Sequence, residues 1–333
     1  METKQRLEYI DSAKAIAIIL VIVGHCHWVG AIPKLGNLIY TFHMPLFFIV
    51  SGFFLKQLSI KDALKKYSKA YLWPYLVIGF LIVLIGILKC LWDQEPWYSL
   101  IPLNLIKIIW GSNCESDIFL GTIPHIGPSW FLLALFWGCV FYTVLNKIRI
   151  RLQRVVFLWV GVSFALCSAK VMKLPLSLQG GVICVIFLYI GSLTNRYNVL
   201  DKLSAMPLYL KMLSILLWFM VAAFAPGLDI GSGSLGFSIV GFTVSLIGTF
   251  FVIGACKTLH LRFNWVGKNT LNILCAHILI WRIFDIFDFA SKDLPFLPAI
   301  NFMVETTYEI TLALLLAWLF SKIHILEFNK IFK

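Results

Sequence analysis

Charge is scarce in this chain. Only 13% of its 333 residues are charged, against about a quarter in an ordinary soluble domain. Acidic residues are the rarest, 16 Asp+Glu against 28 Lys+Arg. With 60% hydrophobic residues and a mean hydropathy of +0.88, a soluble enzyme of one or two domains is excluded. Other absences narrow the chemistry further. None of the eight cysteines forms a Cys-x-x-Cys pair, and only Cys114 sits in a polar stretch, so a zinc site or disulfide framework is not expected. No Gly-rich phosphate loop, metal-ligand cluster or Ser-His-Asp order is visible, and no metal is expected. The net charge of +12 does not indicate a nucleic-acid binder, because basic excess in so apolar a chain marks the cytoplasmic loops of a membrane protein.

What is present is a series of apolar runs. At about 20 residues per span plus loops, the length accommodates roughly ten. They read as 13–29, 38–55, 73–92, 129–146, 155–168, 180–193, 208–225, 235–256, 270–287 and 308–320. Placing the N-terminus in the cytoplasm and alternating the loops puts 21 basic residues inside and seven outside. The acidic residues lean outward, ten of sixteen. The expected fold is therefore an all-α integral membrane protein, a bundle of about ten transmembrane helices with both termini cytoplasmic. The first span is not read as a cleavable signal peptide: it carries Asp11, Lys14 and His25, and no small-x-small site follows. Residues 1–333 are expected to form a single membrane domain with no appended soluble domain. In the longest extracytoplasmic loop, 93–128, the stretch 103–110 looks helical and suits the membrane surface or a cap on the bundle.

Ionisable groups inside a bilayer are costly, so those of the first two spans need a reason. Lys14 and His25 are eleven residues apart, about 20° past three full helical turns and about 16 Å along the axis. Asp11 falls about 40° to the other side of the same broad face. One helix stripe thus carries Asp11 and Lys14 near the cytoplasm and His25 far deeper, as a channel to a reactive point requires. The alternative is that Lys14 snorkels to headgroups and His25 satisfies a carbonyl. His43 lies near the outer end of the second span, where interface packing is the favoured account of it taken alone. That span closes with Ser51-Gly52-Phe53, whose small residues permit close helix packing.

Together these residues form a recognisable pattern. Arg6-x-x-Tyr9-Ile10-Asp11-Ser12-x-Lys14-Ala15-x-Ala17, continuing to Val23-Gly24-His25, resembles the opening of the membrane-bound acyltransferase-3 family, in which a basic residue precedes a histidine by the same interval. The segment Phe42–Phe53 resembles the family's second-helix signature, closest to the branch named for fucose 4-O-acetylase and related O-acetyltransferases. Pro128-Ser129-Trp130-Phe131-Leu132 resembles the motif opening the fourth span. Trp265-Val266-Gly267-Lys268-Asn269-Thr270-Leu271, running on to His277, resembles a late family segment. The resemblance implies ten core helices and acyl transfer from acyl-CoA to an extracytoplasmic acceptor, usually a surface-glycan hydroxyl. It also implies that His25 is catalytic and that Lys14 helps to hold the CoA.

Elementary chemistry agrees with that expectation. A thioester is already activated, so the acceptor hydroxyl mainly needs a proton removed, and a neutral imidazole can take it. His25 is the expected general base, with His43 and then His277 next in line; an acetyl-histidine intermediate is the alternative route. Acetyl-CoA is the expected donor, its phosphates meeting Lys14 first and then Arg6, Lys65, Lys66, Lys268 and Asn269. For Arg6, Lys65 and Lys66 a plain positive-inside role serves equally, and for Asn269 helix capping does. Asp11, Ser129, Trp130 and His277 are the expected acceptor-side residues, with interfacial belting the alternative for Trp130. The expected setting is the cytoplasmic (inner) membrane, crossed many times. A transporter or glycan-export subunit is the competing function; no internal inverted repeat supports the former, and the latter needs no Lys14-x10-His25 pattern.

Overall fold

The computed structural model describes residues 7–331 except 95, 97, 99, 119–120, 225–228, 233–238 and 287–296. It is a helical bundle. In chain order the helices are α1 (Glu8–His25), α2 (Leu35–Phe53), α3 (Ile60–Tyr67), α4 (Trp73–Trp92), α5 (Leu100–Trp110), α6 (Trp130–Leu145), α7 (Arg151–Val171) and α8 (Leu178–Arg196). There follow α9 (Val199–Ser204), α10 (Leu208–Ala222), α11 (Ile239–Thr258), α12 (Asn264–Lys268), α13 (Thr270–Ile286), α14 (Pro298–Ile323) and α15 (Phe328–Ile331). A two-stranded hairpin, β1 (Ser116–Ile118) against β2 (Gly121–Ile123), pairs Ser116 with Ile123 in the loop before α6.

Among the described residues, seven helical stretches are long and apolar enough to cross a membrane: 35–53, 60–92, 127–145, 151–171, 175–196, 240–258 and 298–323. Two shorter apolar helices, α10 and α13, and the more polar α1 occupy the remaining expected spans, so each of the ten apolar runs falls on a helix of its own. The expected stretch 103–110 lies within α5. Two of the boundary differences have a visible cause. α1 stops at His25, where Cys26 turns extended (ψ 139°) and a 3-10 turn, His27–Ala31, leads towards α2. α14 begins ten residues before the expected start, because Glu305, which precedes the apolar run in the sequence, is buried inside the bundle together with Glu309.

α8 lies between α2 and α6, and glycines set the spacing. A Cβ at Gly52 would strike the Leu188 carbonyl, and one at Gly191 the Ile49 carbonyl, so α2 and α8 touch backbone to backbone. Without a hydrophobic drive between helices in lipid, such close van der Waals contact is a main source of association. The periphery is apolar and outward: Phe157, Trp159, Val160 and Phe164 on α7 and Leu213, Leu216 and Met220 on α10 are exposed, as lipid-facing surfaces require.

Two backbone irregularities shape the interior. Pro45 sits inside α2 and deprives the Thr41 carbonyl of its helical donor; one residue on, Thr249 Oγ1 donates to the Phe42 carbonyl at 3.4 Å. Between α3 and α4 the helix loosens into a π-turn, Ser68–Leu72, a form frequent at functional sites. Tyr71 projects from that turn with its ring stacked on Tyr67, centroids 6.1 Å apart.

Candidate functional site

A cavity of about 600 Å³ runs along α1 and α2. On α1 it is lined by Lys14, Ile18, Val21 and His25, an i, i+4, i+7, i+11 stripe, so Lys14 and His25 share the face that their spacing predicts. α2 returns antiparallel and contributes Asn37, Tyr40, His43, Met44, Phe47 and Ser51, followed by Phe54. Lys14, Ser51, Tyr71 and Thr270 line one end, and Asn37, Asn113 and Asp229 line the other. Between these polar ends the walls are apolar, including Val21, Phe47, Phe131 and Leu274.

Three histidines and a tyrosine gather at the deep end of the α1 stripe. The His25 ring lies 5.6 Å from that of His277, and 6.2 Å edge-on from that of Tyr40. Tyr40 in turn meets His43 edge-on at 5.2 Å. The Tyr40 hydroxyl donates to the Gly24 carbonyl at 2.8 Å, which fixes the ring beside the end of α1. His43 Nδ1 bonds the Ile39 carbonyl at 2.7 Å. A carbonyl only accepts, so Nδ1 carries the hydrogen and the neutral ring keeps its lone pair on Nε2. His277 is fully buried, and among the described residues neither of its ring nitrogens has a hydrogen-bond partner. Among the described residues none hydrogen-bonds His25, whose side chain lines the cavity.

At the opposite end Lys14 pairs with Asp11, Nζ to Oδ1 at 2.8 Å. Asp11 therefore orients Lys14 and does not line the cavity. Next to this pair the first and last sequence motifs meet. The Ser12 hydroxyl donates to the Leu261 carbonyl at 2.6 Å and accepts from the Phe263 amide at 3.0 Å. Gly267 lies so close that a Cβ there would strike the Asp11 carbonyl, and Arg262 reaches Glu8 at 3.2 Å. α12 is thus clamped across the start of α1, and α13 leaves it at Asn269.

The other expected residues divide. Trp130 lines the cavity. Ser129 is buried beside it, but its hydroxyl is spent on the Ile126 carbonyl at 3.1 Å. The Asn269 amide donates to the Trp265 carbonyl at 2.9 Å and its oxygen accepts from Asn272 at 3.1 Å, so it secures the joint between α12 and α13. Lys65, Lys66 and Lys268 are exposed away from the cavity; Lys66 lies over the Tyr67 ring at 5.2 Å. Arg6 lies outside the described residues.

Several contributors were not anticipated. Asn37, Asn113 and Asp229 come from a helix start and two loops and carry no motif; Asn113 Nδ2 donates to Asp229 Oδ1 at 3.3 Å. Tyr40 could have been found, being three residues before His43 and so on the same face of α2. Just beyond His25, the fully buried Glu305 accepts from the His27 amide and the His27 imidazole, both at 2.8 Å, and from the Trp28 amide at 3.0 Å. Glu309 accepts from Cys26 Sγ at 3.5 Å. The donor atoms of Cys26, Glu305 and Glu309 lie within 4.8 Å of one another, a spacing that a metal ion would accept. Three donors already meet the charge of Glu305, which gives it a structural task in capping the turn after α1.

A search of curated proteins and of solved structures finds no match to the chain. A family model described as an acyltransferase domain matches residues 7–322, from the start of α1 nearly to the end of α14. With that match over nearly its whole length, and with its apolar helices, this multi-pass membrane protein belongs to the acyltransferase-3 family and is a membrane acyltransferase.

Proposed function

We propose that the protein moves an acyl group, acetyl in the first instance, from cytoplasmic acyl-CoA to a hydroxyl of an extracytoplasmic or lipid-linked surface glycan. One observation carries this reading: a single cavity joins the Lys14 end of α1 to the Asn37, Asn113 and Asp229 end, with His25 between them. The pantetheine arm is about as long as the Lys14–His25 separation, about 16 Å by helix rise. CoA can thus stay on the cytoplasmic side while its thioester reaches His25. Sugar hydroxyls suit the opposite end, where amide and carboxylate groups offer both donors and acceptors.

The chain's own groups then divide the work. His25 takes the proton from the acceptor hydroxyl, whose oxygen attacks the thioester carbonyl. The resulting imidazolium has two N–H groups, and His277 offers one of them a lone pair. Collapse of the tetrahedral adduct breaks the C–S bond, and the leaving thiolate recovers the proton from His25. The products are an ester and free CoA. The apolar walls exclude water, which would otherwise compete as the acceptor. In this reading ten helices cross the cytoplasmic membrane with both termini inside.

Membranes holding the protein, supplied with radiolabelled acetyl-CoA from the cytoplasmic side, should deposit label on a surface glycan in ester linkage. A glycan that crosses the membrane without gaining label would identify a transporter instead.

A further inference from the structure

A second concavity, of about 570 Å³, begins one residue beyond the cavity: Phe54 lines the first, Leu55 and Lys56 the second. Five cations converge on it, Lys56 after α2, Arg149, Arg151 and Arg154 around the start of α7, and Arg196 at the end of α8. No carboxylate is among its lining residues within the described part of the chain. All five belong to segments that the charge partition places in the cytoplasm, yet positive-inside bias accounts only for their side of the membrane and not for their convergence on one hollow. Gathered without a counter-ion they repel one another, an arrangement that a polyanion relieves. The surroundings are set for it. Arg154 Nε donates to the Ile148 carbonyl at 2.6 Å, Tyr142 Oη to Ser192 at 2.7 Å and Asn195 to the Phe53 carbonyl at 2.9 Å. The Arg196 guanidinium lies over the Tyr197 ring, 5.9 Å from its centroid. Lys14, by contrast, is already paired with Asp11.

We propose that this pocket holds the phosphates of the donor's nucleotide end, an inference that rests on the acyl-CoA reading. Guanidinium groups grip phosphate oxygens in pairs, which suits a ligand with a 3′-phosphate and a pyrophosphate. Lys14 then lines the passage that the pantetheine arm takes. Anionic lipid headgroups share this phosphate chemistry and are separated from CoA by the test.

The full chain is placed in nanodiscs of phosphatidylcholine alone, or with phosphatidylglycerol, and titrated with CoA, dephospho-CoA and pantetheine. The Arg151→Gln/Arg196→Gln variant should bind CoA at least about tenfold more weakly, the loss of one or two charge-assisted hydrogen bonds. Its CoA-to-dephospho-CoA preference should narrow, and pantetheine binding should be unchanged. Lys56→Gln, in a loop outside any helix, should weaken CoA in the same direction, while the charge-matched Lys202→Gln/Lys322→Gln should not. CoA binding within twofold of wild type in both pocket variants would overturn the inference. So would a variant effect confined to retention of phosphatidylglycerol, which would make the pocket a lipid site. Wild-type protein that binds no CoA at all would instead overturn the acyl-CoA reading, and the pocket's role with it.

Discussion

His25, the last residue of α1, and His277, in the middle of α13, hold their ring centroids 5.6 Å apart with planes tilted by 36°. The first belongs to the motif that opens the chain and the second to the motif near its end. α12 brings them together, clamped over Asp11 and Ser12 by Gly267 and the Phe263 amide.

His277 is a positioning residue in this account, because it acts through His25. His277→Gln should slow acyl transfer by about tenfold, less than the loss of the base itself, and leave the CoA dissociation constant unchanged. A variant that loses CoA affinity and keeps its turnover would place His277 on the donor instead.

Lys14 and Asp11 form a unit whose partners are 2.8 Å apart. Lys14→Ala should weaken acyl-CoA binding, and Lys14→Arg should be tolerated, since the family pattern admits either cation. Asp11→Asn frees Lys14 and should disturb its placement while keeping its charge. Titration of the three variants with CoA checks this; unchanged affinity in Lys14→Ala would assign Lys14 another role.

Glu305 caps the turn after α1 through three donors. Glu305→Gln keeps the shape but removes the charge and one acceptor oxygen, at a cost of about 1.5–3 kcal/mol. Unfolding in detergent should show it; an unchanged unfolding midpoint would mean that the turn holds without this carboxylate.

The sense of insertion is tested by accessibility. In a background lacking Cys114 and Cys167, Ile60→Cys should react with an impermeant thiol reagent only from the cytoplasmic side, and Asp117→Cys only from outside. Labelling of position 60 from outside alone would invert the bundle.

Much of this site was legible because helices convert spacing into direction. The interval from Lys14 to His25 fixed their common face, and the cavity follows it. Ser51-Gly52 announced close packing, which Gly52 makes against Leu188. What remained hidden depends on contacts between distant segments. Glu305 fell outside the expected span and Glu309 inside it had no expected role, because nothing in their own neighbourhood shows that His27, Trp28 and Cys26 satisfy them. Asn113 and Asp229 come from loops without periodicity. The basic residues were legible as a total and not as a place: Lys65, Lys66 and Lys268 are dispersed, whereas five others share one pocket.

The most direct measurement is single-turnover acyl transfer by purified His25→Gln with saturating acetyl-CoA and acceptor. Glutamine keeps a hydrogen-bonding group at the end of α1 but cannot take the proton. Transfer should fall by at least about 100-fold, the contribution of a general base, while CoA still binds with wild-type affinity. Transfer near the wild-type rate would contradict the account and move the search for the base to His43, whose Nε2 keeps its lone pair, and then to His277.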